Sequence, residues 1–231
     1  MGEFIMTRYI CFEGTEGVGK STHTELLTEY LRDKGYSVLM TKEPGTSLSP
    51  LTMELRNIML NMRYENEITP LAREFISQAI RSIHLEKVIY PAMNKYDFII
   101  QDRGILSGLC YAEACGHDIE WLEDMTCDVV GSNYDPYMLY DDIIYLKGNT
   151  DTCLQKALDV KKEFAKGDAM EARGNEFMRK VALNMDDMSM WFQARVVEVK
   201  PTIDQTFLDI LIALNMENLN ECQENDQEKD Q

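Results

Sequence analysis

Tyr9-Ile10-Cys11-Phe12-Glu13, followed at once by Gly14-Thr15-Glu16-Gly17-Val18-Gly19-Lys20-Ser21, decides the fold. The first run is short, apolar and rich in residues that favour strands. It leads into a stretch that satisfies G-x-x-x-x-G-K-[ST], and Thr22–Arg32 then carries helical periodicity. A strand, a glycine-rich turn and a helix in this order aim backbone N–H groups and the positive end of a helix at one point, where an anion is held. Gly14, Glu16, Gly17, Val18, Gly19, Lys20, Ser21 and Thr22 are therefore the expected phosphate-binding set. Lys20 is expected to reach the terminal phosphates of a nucleoside triphosphate, and Ser21 to ligate Mg²⁺.

Outward from this motif, further apolar runs recur at Ser37–Met40, Phe98–Ile100, Ile143–Leu146 and Val196–Val199, with helical stretches between them. Alternation of this kind predicts an α/β fold: a five-stranded parallel sheet with helices on both faces and ligands at the carboxyl ends of the strands. Before the third run, Leu71, Phe75, Ala79 and Ile83 repeat every four residues and predict a helix with these side chains on one face. Pro201 and Asp204 precede a last amphipathic helix through Leu214. Residues 1–216 are expected to form a single P-loop domain, and the polar, acidic segment 217–231 a disordered tail. Met1–Ile5 have the look of a remnant ahead of a native Met6.

The 231 residues carry 23 Lys and Arg against 40 Asp and Glu, a net charge of −17. So acidic a chain lacks the basic field of a nucleic-acid or membrane-surface binder, so an anionic ligand needs a local, preorganised site. No apolar run approaches the roughly 20 residues of a membrane span, and a soluble cytoplasmic protein is expected. The six cysteines and three histidines lack the clustering of a metal site or disulfide framework. Asn94-Lys95-Tyr96-Asp97 and Asp128-Val129-Val130-Gly131 fit two short GTPase motifs, but in reversed order and with Asn94 before a strand instead of after one.

The remaining motifs resemble the thymidylate kinase family, from about Arg8 to Asp209. Phe12-Glu13-Gly14 opens the P-loop as in that family, with an acidic residue at Glu16. Lys42-Glu43-Pro44-Gly45-Thr46 is similar to its Arg-Glu-Pro-Gly-Gly-Thr, with Lys for Arg and one Gly fewer. Leu55-Arg56, then Ala79-Ile80-Arg81 with His84, and Asp102-Arg103 with Ser107 and Tyr111 follow in the family's order. The resemblance implies ATP-dependent phosphorylation of a deoxypyrimidine monophosphate, dTMP first, in a Mg²⁺-requiring homodimer. Physics asks for the same parts, because two polyanions brought together need separate cations. Arg103 can clamp the acceptor phosphate with a planar fork, and Arg56 is the second candidate clamp. Asp102 either orders Mg²⁺-bound water or fixes Arg103. As the family implies, Glu16 and Glu43 would lie around the deoxyribose and acceptor phosphate, Tyr111 against the sugar, and Arg81 on a pyrimidine O4.

A helical lid is expected at about residues 158–175, where Asp168-Ala169-Met170-Glu171 resembles the family's Asp-Arg-x-Glu. Ala169 replaces the arginine, leaving Arg173, or one of Lys161, Lys162 and Lys166, to supply a cation to the transferring phosphate. The base pocket also departs from the family pattern. Ser77 stands for a stacking Phe, Gly108 for a Ser, Ala112 for a Gln and Gly104 for a Tyr, which suggests a roomier cavity. The same residues leave open a kinase for a 5-substituted dUMP such as 5-hydroxymethyl-dUMP, a deoxynucleoside kinase, or a P-loop module that binds nucleotide without turnover.

Overall fold

The computed structural model describes residues 6–131, 135–153, 155, 170 and 173–217. Strand β1, Arg8–Glu13, lies in the middle of the sheet, and its sequence explains why. Tyr9, Ile10, Cys11 and Phe12 are all buried, the pattern of a strand covered by helices on both faces. It pairs in parallel with β3, Phe98–Asp102, on one side and with β4, Asp142–Lys147, on the other. β2, Val38–Lys42, adds beyond β3, and β5, Arg195–Glu198, beyond β4. The sheet is thus all parallel in the order β2-β3-β1-β4-β5. Every expected apolar run is one of these strands, displaced by one or two residues at its ends.

Helix α1, Lys20–Asp33, leaves the P-loop and buries Leu27 and Leu31 against Ile10, Phe12 and Ile100. Each such side chain, fully buried, stabilises the fold by roughly 1.5–3 kcal/mol. α7, Ile203–Ala213, packs on the same face through Ile210 and Leu211, and Thr202 caps its first turn through the N–H of Gln205. α4, Ile105–Ala114, α5, Ile119–Val130, and α6, Gly174–Met188, cover the other face. Chain connections diverge at β1, since β3 and β4 lie on opposite sides of it. The crevice opened there, at the carboxyl ends of the strands, is where such sheets hold ligands.

Two helices wall this crevice: α2, Pro50–Leu60, and α3, Pro70–His84, whose first turn Thr69 caps through the N–H of Ala72. α3 forms where the four-residue spacing predicts a helix, but its burial is not that of an ordinary amphipathic helix. Its four-residue apolar stripe faces outward, with Leu71 47% and Phe75 53% exposed, while Arg73, Glu74, Gln78, Arg81 and His84 are buried. Hydrophobic periodicity assumes a core behind the helix, but here the buried face meets a polar cavity. The expected lid lies almost wholly outside the described residues, with Lys161, Lys162, Lys166 and Asp168; Met170 and Arg173 are described. The tail beyond Glu217 also lies outside them. Among the described residues, no helix is long and apolar enough to cross a membrane.

Candidate active site

The P-loop curls because its glycines permit it. Gly14 has φ +145°, and a Cβ there would stand 2.6 Å from the Leu146 carbonyl oxygen. Gly19, at φ +100°, turns the chain into α1. Val18 tucks into the core beneath the loop. Lys20 is 6% exposed and donates to the Thr15 carbonyl at 2.7 Å. Its burial, reinforced by the charge of Arg103, lowers its pKa to about 8. Ser21 Oγ donates to Asp102 Oδ2 at 2.6 Å, and Lys42 Nζ reaches the same oxygen at 3.1 Å. The other oxygen, Oδ1, is buried with no partner among the described residues. Burial alone would push the Asp102 carboxyl up, but Lys42, Lys20 and Arg103 outweigh it and hold it below the usual range. An ionised carboxylate with an oxygen to spare, beside a hydroxyl, is the hard-oxygen donor set that suits Mg²⁺.

Arg103 sits at the carboxyl end of β3 in a left-handed backbone conformation, φ +65°, with its N–H donating to the Phe12 carbonyl at 2.8 Å. A non-glycine residue held there carries strain that its surroundings must offset. They do so through Glu13. That buried carboxylate accepts from the N–H groups of Gly104 at 2.8 Å and Ser107 at 3.2 Å, and from the Ser107 hydroxyl. Burial raises the Glu13 pKa, and the Ser107 hydrogen bonds offset only part of the shift. The turn into α4 is thereby fixed. It aims the Arg103 guanidinium at Glu16 (2.6 Å), the Gly14 carbonyl (2.9 Å) and Ser107 Oγ (3.1 Å), over the ring of Tyr111. Asp102 does not fix Arg103 by a hydrogen bond; its ties run to Ser21 and Lys42.

Arg81 closes the far end of the cavity. No carboxylate near it in sequence offers a partner, and the structure supplies Glu43 from the end of β2, at 3.1 Å. Glu43 also accepts from His84 Nδ1 at 3.0 Å, and His84 Nε2 meets Thr41 Oγ1 at 2.8 Å. Burial would raise the Glu43 carboxyl, but Arg81 and His84 prevail and keep it below the usual range. Glu43 thus holds Arg81 through Oε2 and His84 through Oε1, at the edge of the cavity it lines. Arg56, under the same loop, donates to the Pro44 carbonyl at 2.6 Å.

These groups surround one cavity of about 600 Å³. Glu16, Gly17, Gly19, Lys20, Ser21, Thr22, Glu43, Arg56, Ser77, Arg81, Asp102, Arg103, Ser107, Gly108, Tyr111 and Ala112 line it. Gly14 and Val18 do not line it. Ser77 and Ala112 line the cavity, but the two glycines do not add the expected room. A Cβ on Gly108 would stand 2.3 Å from Arg81 Nη2, and one on Gly104 2.2 Å from the Tyr140 hydroxyl. Arg81 and Tyr140 occupy that space. Phe75 does not stand in for the missing ring at Ser77, because it lies outside against Trp121. Arg173 is not brought to the phosphate end; its guanidinium donates to Cys115 Sγ at 3.3 Å and covers the ring of Phe177. Sequence reasoning missed Lys42, Arg73, Glu74, Cys115 and His117, which also line the cavity. Glu74, Gln78 and Arg81 are spaced by four and three residues, a helical face that could have been traced back from Arg81.

The thymidylate kinase family model matches residues 12–226. A probable thymidylate kinase of Pyrococcus abyssi is 30% identical over 222 residues, 91% of this chain and 97% of that one. A thymidylate kinase of Nitrosospira multiformis is 30% identical over 175 residues, covering 75% of this chain and 79% of its own. The crystal structure of thymidylate kinase from Ehrlichia chaffeensis shares the fold, with a TM-score of 0.68 at 23% identity over 90% of this chain and 98% of that one. With its P-loop, its Asp102-Arg103 turn and this likeness along nearly its whole length, the chain belongs to the thymidylate kinase family of nucleoside monophosphate kinases.

Proposed function

We propose that the protein transfers the terminal phosphoryl group of ATP to a deoxypyrimidine nucleoside monophosphate, dTMP first, giving the diphosphate. The observation that carries this reading is a single cavity lined by Lys20 and Ser21 of the P-loop and also by Arg103 and Arg56, cations that would serve a second phosphate. A nucleotide-binding module without turnover has no use for the second. Lys20 and the P-loop N–H groups hold the donor phosphates, and Lys20 gains a proton-holding partner when they dock. Arg103 exchanges its contact with Glu16 for two oxygens of the acceptor phosphate and keeps that phosphate in line. Ser21 and Asp102 would hold Mg²⁺, which when bound neutralises charge on the transferring group. Tyr111 packs along the sugar, where a 2′-hydroxyl would clash, and Arg81, held by Glu43, donates to O4 of the base.

The family resemblance also supports a cytoplasmic homodimer, and the exposed apolar side chains Leu51, Ile58, Leu71 and Phe75 of α2 and α3 are the surface that dimer would bury. Assaying ADP release from ATP and Mg²⁺ with a panel of nucleosides and nucleoside monophosphates tests the reaction. Turnover with dTMP is expected. Turnover with nucleosides alone, or tight ATP binding with no turnover on any acceptor, would refute it.

A further inference from the structure

Glu74 is a carboxylate inside the cavity that none of the steps above employs. It is 7% exposed on the inner face of α3 and lines the pocket beside Ser77. Among the described residues it accepts one hydrogen bond, from Gln78 Nε2 at 2.9 Å. An ionised carboxyl can accept about four, so Glu74 keeps acceptor capacity for a donor that enters the cavity it lines. Gln78 cannot serve a ligand in its place. Its amide nitrogen is shared between Glu74 and Thr126, and its oxygen accepts from Arg81 Nη1 at 3.2 Å. Arg81, by contrast, spends N–H groups on Glu43, Gln78 and Gly104, and its guanidinium carries five donors.

The geometry between these two charged groups is informative. One carboxamide bridges them, so the Glu74 carboxylate and the Arg81 guanidinium stand at most about 8 Å apart, the length of two hydrogen bonds laid end to end across the amide. A uracil ring carrying a hydroxymethyl group at C5 has O4 and the hydroxyl oxygen about 3 Å apart, and with a hydrogen bond of about 2.8 Å at each end it can bridge the same two groups as the carboxamide does. The polarity also fits: Arg81 offers donors to O4, and Glu74 offers an acceptor to the hydroxyl. A thymine methyl satisfies only the first. A 4-amino group would set donor against donor at Arg81. Ser77 and Glu74 line the same cavity.

We infer that Glu74 is a specificity-determining residue that accepts a hydrogen bond from a hydroxyl on the C5 substituent of the base, so that the enzyme phosphorylates 5-hydroxymethyl-dUMP as well as dTMP. The inference rests on the proposed nucleoside monophosphate kinase reading of the same cavity.

The test compares kcat/KM for 5-hydroxymethyl-dUMP, dTMP and dCMP in wild type, Glu74→Leu and Glu74→Gln. In wild type the hydroxymethyl substrate is expected within about tenfold of dTMP, and in Glu74→Leu that ratio falls by about tenfold or more. Glu74→Gln keeps the shape and one acceptor, so it folds where Leu fails to and lowers the ratio by an intermediate factor. Ratios equal within about threefold in every variant that folds overturn the inference. So does a fall confined to the dCMP ratio, which would assign the donor to a 4-amino group. Absence of turnover with every monophosphate would instead overturn the kinase reading itself, a result distinct from a flat ratio on active enzyme.

Discussion

Raising the pH through 8 should weaken nucleotide binding through one side chain. Burial of Lys20, with the charge of Arg103 beside it, lowers its pKa to about 8 in the free protein, against an ordinary value of about 10.4. A polyphosphate seated on the P-loop brings opposite charge and returns the group toward that ordinary value. Between the two pKa values, binding must then take up a proton. About half a proton per nucleotide is expected at pH 8, about nine-tenths at pH 9 and almost none at pH 6.5. The apparent Kd rises in step, by roughly twofold at pH 8 and roughly tenfold at pH 9 relative to pH 6.5. Folding responds in the same window. A lysine whose folded pKa lies below its unfolded one makes the folded chain bind fewer protons, so stability rises with pH from about 8 to about 10. The cost it carries at pH 7 is on the order of 3 kcal/mol. Titration calorimetry with a non-hydrolysable ATP analogue, in two buffers of different ionisation enthalpy, reads the uptake directly. Lys20→Met should abolish it. Uptake that is absent between pH 8 and 9, or that survives in Lys20→Met, refutes the reasoning.

Two further substitutions probe the turn after β3. Arg103→Lys should lower kcat by about a hundredfold with ATP affinity nearly unchanged, because a point charge cannot replace two charge-assisted bonds of a planar fork; normal specific activity in the folded fraction, with only a lower Tm, would make Arg103 structural. Gly104→Ala should destabilise the fold by about 1–3 kcal/mol, since its Cβ would meet the Tyr140 hydroxyl at 2.2 Å and Cys11 Sγ at 3.0 Å. Adding Tyr140→Phe should recover part of that loss in urea unfolding, and a single variant as stable as wild type would show that the turn is not packed as described.

The parts of the protein set by neighbouring residues were legible in its sequence. The P-loop is one, because Gly14 and Gly19 license backbone angles locally and Lys20 and Ser21 follow at fixed offsets. The five strands are another, because continuous apolar runs between helical stretches can be buried only in a parallel sheet covered on both faces. Arg103 beside the loop followed from the same register. The tertiary structure decided which way α3 turns and what its side chains meet. Periodicity marks a helix and its stripes, but only the neighbours settle which stripe is inside, and here Glu74, Gln78 and Arg81 face the cavity while Phe75 faces out. It also decided that Glu43 anchors Arg81, and that Tyr140 and Arg81 fill the space left at Gly104 and Gly108. Partners brought together by the closing of long loops leave no local pattern, since their fit depends on side-chain volume and charge at one point in space.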